Sequence, residues 1–456
     1  MIIEFAAARI AKLMKHTRLI ALTSSLALAV ISAPVFSAPN ALSASEKKII
    51  RASDAQEGPA LQLLEKLVNI NSGTMNLEGV AQVGIVMREQ LEKLSFVVRW
   101  IPMSEVGRAG HIVAEHRGSG HGTRMLLIGH LDTVFEKEST FQKFERRGDI
   151  AEGPGVSDMK GGLAIMIGAL NAMKNAGTLA PAHITIVLTG DEERAGRPFS
   201  VSRKDLVDAA SQSDVALEFE GLAREDGHDM GSIARRSSSN WLVTTTAKSG
   251  HSSGVFSKNA GFGANYEIGR IVDSFRRELP EPNATFNVGL ILGGATADVN
   301  AVNTGGNAAG KDNVIAAKAM ARGDLRTLSN EQTTRLREKM QVIVAQNLNG
   351  AESKISFEDG YPAMPPTEGS RALLRQLNVI NAALGLEAMG ELDPLKRGAG
   401  DISFVADKID GLIGFGAAGE GEHAPGETID LSCLDRQIKR AALLMTRLSH
   451  TRMAHQ

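Results

Sequence analysis

His183-Ile-Thr-Ile-Val-Leu-Thr-Gly-Asp-Glu-Glu193 decides the fold: a run rich in β-branched residues stops at a glycine and a row of acids. A short apolar run bounded in this way reads as a buried strand. The same design recurs on either side. Met125-Leu-Leu-Ile-Gly129 runs into His130, with Asp132 two residues on. Asp214-Val-Ala-Leu-Glu-Phe runs into Glu220, and Gly411-Leu-Ile-Gly-Phe-Gly416 leads to Gly419-Glu-Gly-Glu-His423. Between the first two strands, Met159 to Lys174 shows helical spacing, ends near Gly177 and follows Asp158, a residue type that caps helices. Strands alternating with helices predict an α/β layer with a mostly parallel sheet. In such a sheet the groups at the carboxyl ends of the strands gather along one edge.

Helical spacing also marks Gly58 to Leu67 and Gly79 to Leu94. The middle of the chain changes character. Trp241 to Ala247 is strand-like, Gly263 to Arg276 helical, Val314 to Leu325 strand-like and Glu331 to Leu348 helical. This β-α-β-α block predicts a smaller α+β domain inserted into the larger one. The expected boundaries are 45–235 and 357–456 for the two parts of the larger domain and 236–356 for the insertion. Gly289 to Gly310 is rich in Gly and Asn and reads as loop and hairpin. A length of 456 residues suits two cores.

At the start, Lys12, Lys15 and Arg18 precede an apolar run from Leu19 to Ile31, and small residues follow to Ala38. That order reads as an export signal, so 1–38 is expected to be removed and the mature protein to be periplasmic or secreted. The run is short for a membrane span, and none is expected in the mature chain. Met14-Lys15 makes a neater start than Met1. Cys433 is the single cysteine, which excludes an intrachain disulfide and a thiolate metal site; a small core residue is its plain reading. A net charge of -2 and 4% aromatics, with no basic patch, argue against nucleic acid as a partner.

The strand-end residues carry the chemistry. Two histidines and several carboxylates without thiolate suit zinc or another divalent cation. Taken singly, each has a plainer reading: a structural histidine at His130, a solvated pair at Glu192-Glu193, a helix cap at Asp158, a loop histidine at His423. Their recurrence at four strand ends shifts the balance, because buried acids and imidazoles are costly unless paired or metal-bound. A carboxylate between two ions about 3.5–4 Å apart can bridge them, and such pairs activate water.

Gly129-His-Leu-Asp-Thr-Val134, Gly153-Pro-Gly-Val-Ser-Asp-Met-Lys-Gly-Gly162 and Thr189-Gly-Asp-Glu-Glu193 resemble the signature segments of the M20 metallopeptidases. That family includes glutamate carboxypeptidases, aminoacylases and succinyl-diaminopimelate desuccinylases. The resemblance covers nearly all of the chain beyond the export segment. It implies that Asp158 bridges two zinc ions, with cobalt or manganese as alternatives. His130 and Glu220 would complete one site, and Glu193 and His423 the other. Asp132 would orient the His130 imidazole, and Glu192 would be the general base. Glu218 competes with Glu220, but Leu217-Glu-Phe-Glu220 resembles the family strand whose last acid binds metal.

The resemblance also implies substrate contacts. His251, in Lys248-Ser-Gly-His-Ser-Ser, resembles the lid histidine that reaches a partner subunit's active site to stabilise an oxyanion. Arg326, with Arg322 as rival, resembles the arginine that grips a substrate carboxylate. Asn313 resembles a polar substrate contact, and Gly400 a glycine-rich turn beside the substrate. Tyr361 stands where a glutamate-specific carboxypeptidase would carry arginine. The function implied is amide hydrolysis by a carboxypeptidase that releases a C-terminal amino acid such as glutamate from a small peptide, with hydrolysis of an N-acyl amino acid as the alternative, by a homodimer joined through the smaller domain. A non-catalytic peptide-binding relative is the reading from another class, and the presence of Glu192 speaks against it.

Overall fold

The computed structural model describes residues 42–300 and 304–452, which fall within one compact unit. The expected export segment, 1–38, lies outside the described residues.

The larger domain is built on a six-stranded sheet in the order Val97–Pro102, Gly110–His116, His183–Thr189, Arg124–His130, Val215–Glu218, Asp410–Ile413. The last four strands in that order run parallel to one another, and the first two are antiparallel additions at one edge. Those two antiparallel strands have no counterpart in the sequence reading. Register aligns the parallel strands at their carboxyl ends. His130 sits opposite Thr189, and Glu218 opposite both Ile128 and Ile413. The strand carrying Glu218 stops there, so Glu220 lies just beyond it, at the same edge.

The helix Gly161–Ala176 is apolar on nearly every side and is buried along almost its whole length, as such a helix must be. It is covered by the helices Ala44–Asp54, Glu57–Val68 and Cys433–His450. Gly177, in the left-handed conformation, ends it. Gly162 lets it approach the sheet: a Cβ there would lie 1.9 Å from the Phe219 carbonyl oxygen. The helix is thereby held against the segment that ends in Glu220.

The smaller domain has its own sheet, with Lys318–Arg326 and Ala351–Asp359 flanking Ser239–Ala247, all antiparallel. Its helices, Ala264–Glu278 and Asn330–Ala345, cover one face around Trp241, Phe275, Leu336 and Met340, a core separate from that of the larger domain. Ala351–Asp359 continues past the expected boundary at 356, because Phe357 still pairs with Trp241. The Gly- and Asn-rich stretch contributes the strand Leu290–Gly294 and a hairpin of Thr296–Val299 with Gly306–Ala309. Among the described residues, no helix is long and apolar enough to cross a membrane.

Candidate active site

Five segments deliver polar side chains to one edge of the larger sheet, one of them the Val215–Glu218 strand that leads to Glu220. His130 ends its strand, and Glu192 and Glu193 follow Thr189. Asp158 lies in a turn, Val156–Lys160, where its backbone is non-helical. The sequence reading placed Asp158 at the start of a helix. The helix instead begins at Gly161 with no side-chain cap, and the Asp158 carboxylate is turned toward two imidazoles. His423 sits on the excursion between Gly419–Glu420 and Thr428–Asp430, which pair with each other and, through the latter, with Ile150–Glu152. Its backbone is left-handed, with φ 66°, an uncommon state for a residue with a side chain.

Asp158 stands at the centre. Its Oδ1 lies 3.0 Å from His130 Nε2, and its Oδ2 lies 2.9 Å from His423 Nε2. His130 Nε2 is also 3.3 Å from Glu220 Oε1, and His423 Nε2 is 3.2 Å from Glu193 Oε2. Two triads therefore share Asp158, and within each the three facing atoms lie within 4.8 Å of one another. Among the described residues, Glu193 Oε1 is buried without a hydrogen-bond partner. This nitrogen-and-oxygen donor set fits divalent cations. So does the charge: Asp158, Glu192, Glu193, Glu218 and Glu220 crowd together beside the guanidinium of Arg235, with Arg397 near Glu218 and Glu220.

That crowding is visible in the acidities. Burial, reinforced by Asp158, pushes the Glu193 carboxyl up to about 7. Burial also raises Glu192 well above the carboxylate range, and Glu220, Asp401 and Glu193 add to it against His130. Burial alone would keep His130 neutral, but hydrogen bonds with Asp132, Asp158 and Glu220 raise its pKa well above the ordinary value. Hydrogen bonds with Asp158 and Glu193 lift His423 to about 11.

Asp132 organises the neighbourhood. Its carboxylate accepts hydrogen bonds from the amides of Glu192, at 3.0 Å, and Glu193, at 3.1 Å, and from Thr74 Oγ1, at 2.6 Å. Its Oδ1 is 3.4 Å from His130 Nδ1, and its backbone carbonyl is 3.1 Å from the same nitrogen. One buried carboxylate therefore orients an imidazole and fixes both neighbouring glutamates.

Glu218 is drawn away from the centre. It takes the Ile402 amide at 2.8 Å and lies 2.9 Å from Arg235 Nη2, while burial raises its carboxyl to about 7. Gly400 lies against Arg235: a Cβ there would meet the guanidinium carbon at 2.4 Å, so close approach rather than φ requires glycine. His251 and Asn313 are neighbours on the smaller domain, where Ser252 N donates to the Asn313 carbonyl at 2.9 Å. Both are exposed. Among the described residues, His251 hydrogen-bonds only within its own loop, with Nδ1 at 2.8 Å from Ser253 Oγ. Arg326 pairs with Asp324 at 3.1 Å on its own strand, and Arg322 pairs with Glu358 at 3.4 Å. The structure thus gathers the five proposed ligands with Asp132 and Glu192, sets Gly400 beside them, and leaves His251, Asn313 and Arg326 on the smaller domain.

Several residues of this site escaped the sequence reading. Glu427 is fully buried and accepts from the amides of Gly155, Ser157 and Asp158 at 2.8–3.0 Å, which locks the turn that presents Asp158. Its position four residues after His423 was the available signal. Arg235 and Arg203 are buried arginines whose partners come from distant segments. No spacing rule points to them.

A mostly parallel sheet with two histidine–carboxylate triads sharing one aspartate at its edge defines a candidate two-metal hydrolase. The family model of Peptidase family M20/M25/M40 matches residues 126–447, and the chain belongs to that family of metal-dependent amide hydrolases. Carboxypeptidase G2 of a Pseudomonas species is 28% identical over 92% of this chain and 96% of its own length. A succinyl-diaminopimelate desuccinylase of Novosphingobium aromaticivorans is 30% identical over 41% of this chain and half of its own. Among solved structures, a Bacillus subtilis protein described as a dinuclear metal binding peptidase shares the fold. Its TM-score is 0.60 at 16% identity, over 87% of this chain and 99% of the other.

Proposed function

We propose that the chain is a di-zinc exopeptidase that releases a C-terminal amino acid, such as glutamate, from a small peptide. The observation that carries this reading is the sharing of Asp158 between two triads, with Glu192 fixed beside them through Asp132. His130, Asp158 and Glu220 would hold one cation, and Asp158, Glu193 and His423 the other. When bound, such a pair acidifies water and polarises the scissile carbonyl. Glu192 takes the proton of the attacking water and delivers it to the leaving nitrogen. Arg235, wedged between Glu218 and Glu220, holds Glu220 toward His130.

Substrate contacts come from the smaller domain and the Gly400 turn. Arg326 would take the substrate carboxylate. Its pair with Asp324 is half-exposed and so weak enough to exchange. Asn313 and Gly400 would add polar contacts. His251 of the partner subunit would stabilise the oxyanion in a homodimer joined through the smaller domain. The edge of the strand Ala351–Asp359, unpaired among the described residues, and the exposed Phe256, Tyr266 and Ile291 support such a joint. Export to the periplasm is proposed from the first 38 residues, and cell fractionation checks it. A fully active monomer would refute the action of His251 in trans.

An N-acyl-amino-acid amidohydrolase is the second reading. It is favoured by the desuccinylase likeness and by Tyr361 standing in place of the arginine expected for glutamate specificity. Zinc-loaded enzyme assayed on C-terminal-glutamate dipeptides and on N-acetyl amino acids separates the two, since turnover of only the acetylated substrates overturns the first. In the same assay Glu192→Gln is expected to lower kcat by about three orders of magnitude.

A further inference from the structure

The Glu192 carboxyl accepts no hydrogen bond among the described residues, so its direction is set through its backbone. Asp132 holds the amide of Glu192 on one side. On the other, the Tyr361 hydroxyl donates to the Glu192 carbonyl at 2.7 Å. Tyr361 lies two residues beyond the strand Ala351–Asp359, on one of the two segments that cross between the domains. The crossings run side by side: Ser238 N donates to the Tyr361 carbonyl at 2.9 Å, and Arg235 and Met364 exchange backbone bonds at 2.9 and 3.0 Å.

The Tyr361 hydroxyl is itself anchored. Arg203 Nη2 donates to it at 2.9 Å, and burial keeps the phenol protonated, and so a donor, at any ordinary pH. The same buried guanidinium holds Asp191 at 2.6 Å and Asp401 at 2.7 Å, and Asp401 takes Thr189 Oγ1 at 2.5 Å. The Tyr361 ring is seated edge-on against Phe199 and Phe404, with centroids 5.8 and 5.0 Å away. One arginine thus ties the end of the His183–Thr189 strand, the turn after Gly400 and the interdomain crossing to the backbone of a single glutamate.

We propose that Tyr361 is a positioning residue for proton transfer: its hydroxyl, carried on the crossing between the domains and braced by Arg203, fixes the Glu192 carbonyl and thereby the aim of the Glu192 carboxyl. The proposal rests on the reading of Glu192 as the general base. It gives Tyr361 work other than binding a substrate carboxylate, the task an arginine would have there.

The test uses the full-length, zinc-loaded enzyme and its Tyr361→Phe, Glu192→Gln and doubly substituted forms, assayed on the amide substrate that the wild type turns over best. Phenylalanine keeps the ring contacts and removes only the hydroxyl. Tyr361→Phe is expected to lower kcat about tenfold with KM within about twofold, the scale of one lost hydrogen bond. In the Glu192→Gln background the same change should lower kcat less than about twofold, because residues acting through one group are not additive. Hydrogen exchange of metal-free protein adds a readout independent of turnover. Amides of 190–196 should exchange several-fold faster in Tyr361→Phe, while those of the buried helix Gly161–Ala176 stay unchanged. Arg203→Lys, which loses the donor to the phenol, should speed the same segment should Tyr361→Phe fold poorly. Unchanged kcat or unchanged exchange in Tyr361→Phe, or full effects that multiply in the double variant, overturns the positioning role. Retained activity in Glu192→Gln overturns the general base instead.

Discussion

Asp132→Asn isolates what one buried carboxylate does for the centre. The native group accepts three hydrogen bonds, from the amides of Glu192 and Glu193 and from Thr74, and faces His130 Nδ1. Asparagine is nearly isosteric but replaces one oxygen with an NH2. Turned one way, that NH2 opposes the Glu192 amide and the imidazole N–H; turned the other, it opposes the Glu193 amide. Thr74 can adapt by rotating its hydroxyl, whereas the backbone amides cannot. At least one charge-assisted bond is lost, about 1.5–3 kcal/mol, which corresponds to roughly ten- to a hundredfold in rate. Loss of an outer partner of a metal ligand falls in the same range. Steady-state kcat/KM on the preferred amide substrate, with zinc affinity measured against a competing chelator, reads both consequences. Wild-type values within about twofold in both measurements would refute the assignment of Asp132 as organiser of His130, Glu192 and Glu193.

The smaller domain should be separable in energy from the metal centre. Phe275→Ala empties part of the core around Trp241, against whose ring Phe275 packs at 5.4 Å. Chemical denaturation should show a loss of about 3–5 kcal/mol, while zinc stoichiometry stays unchanged because none of the proposed ligands lies in 239–359. At Asp229, burial alone would raise the carboxyl, but the Arg440 hydrogen bond and the Arg436 charge outweigh it and lower its pKa. A group whose folded pKa is depressed stabilises the protein above its unfolded pKa, about 3.9 for aspartate, and that contribution fades as pH falls through the folded value. Asp229→Asn should therefore lower the urea midpoint at pH 7, and the gap to wild type should shrink below about pH 4.

Much of the larger domain is legible because its strands are short apolar runs that stop at polar residues. His183–Thr189 coincides with the stretch read from sequence, and Arg124–His130 with the run that ends in His130. The two antiparallel strands are not legible for different reasons: the edge strand Val97–Pro102 is largely solvent-exposed and mixes charge with apolar residues, and Gly110–His116, although mostly buried, holds only three apolar residues between His111 and Glu115. Asp158 shows how a residue type can mislead locally. Its place before a helix suits a cap, yet Glu427, more than two hundred and fifty residues away in sequence, holds its turn in another shape. Glu427, Arg203, Arg235 and Tyr361 are defined only by partners that folding brings together, so no local pattern announces them.

Anomalous difference density from crystals grown with zinc tests the central claim most directly. Two peaks are expected in each chain, one among His130 Nε2, Asp158 Oδ1 and Glu220, the other among His423 Nε2, Asp158 Oδ2 and Glu193. A single peak, or a pair that leaves Asp158 uncoordinated, would contradict it.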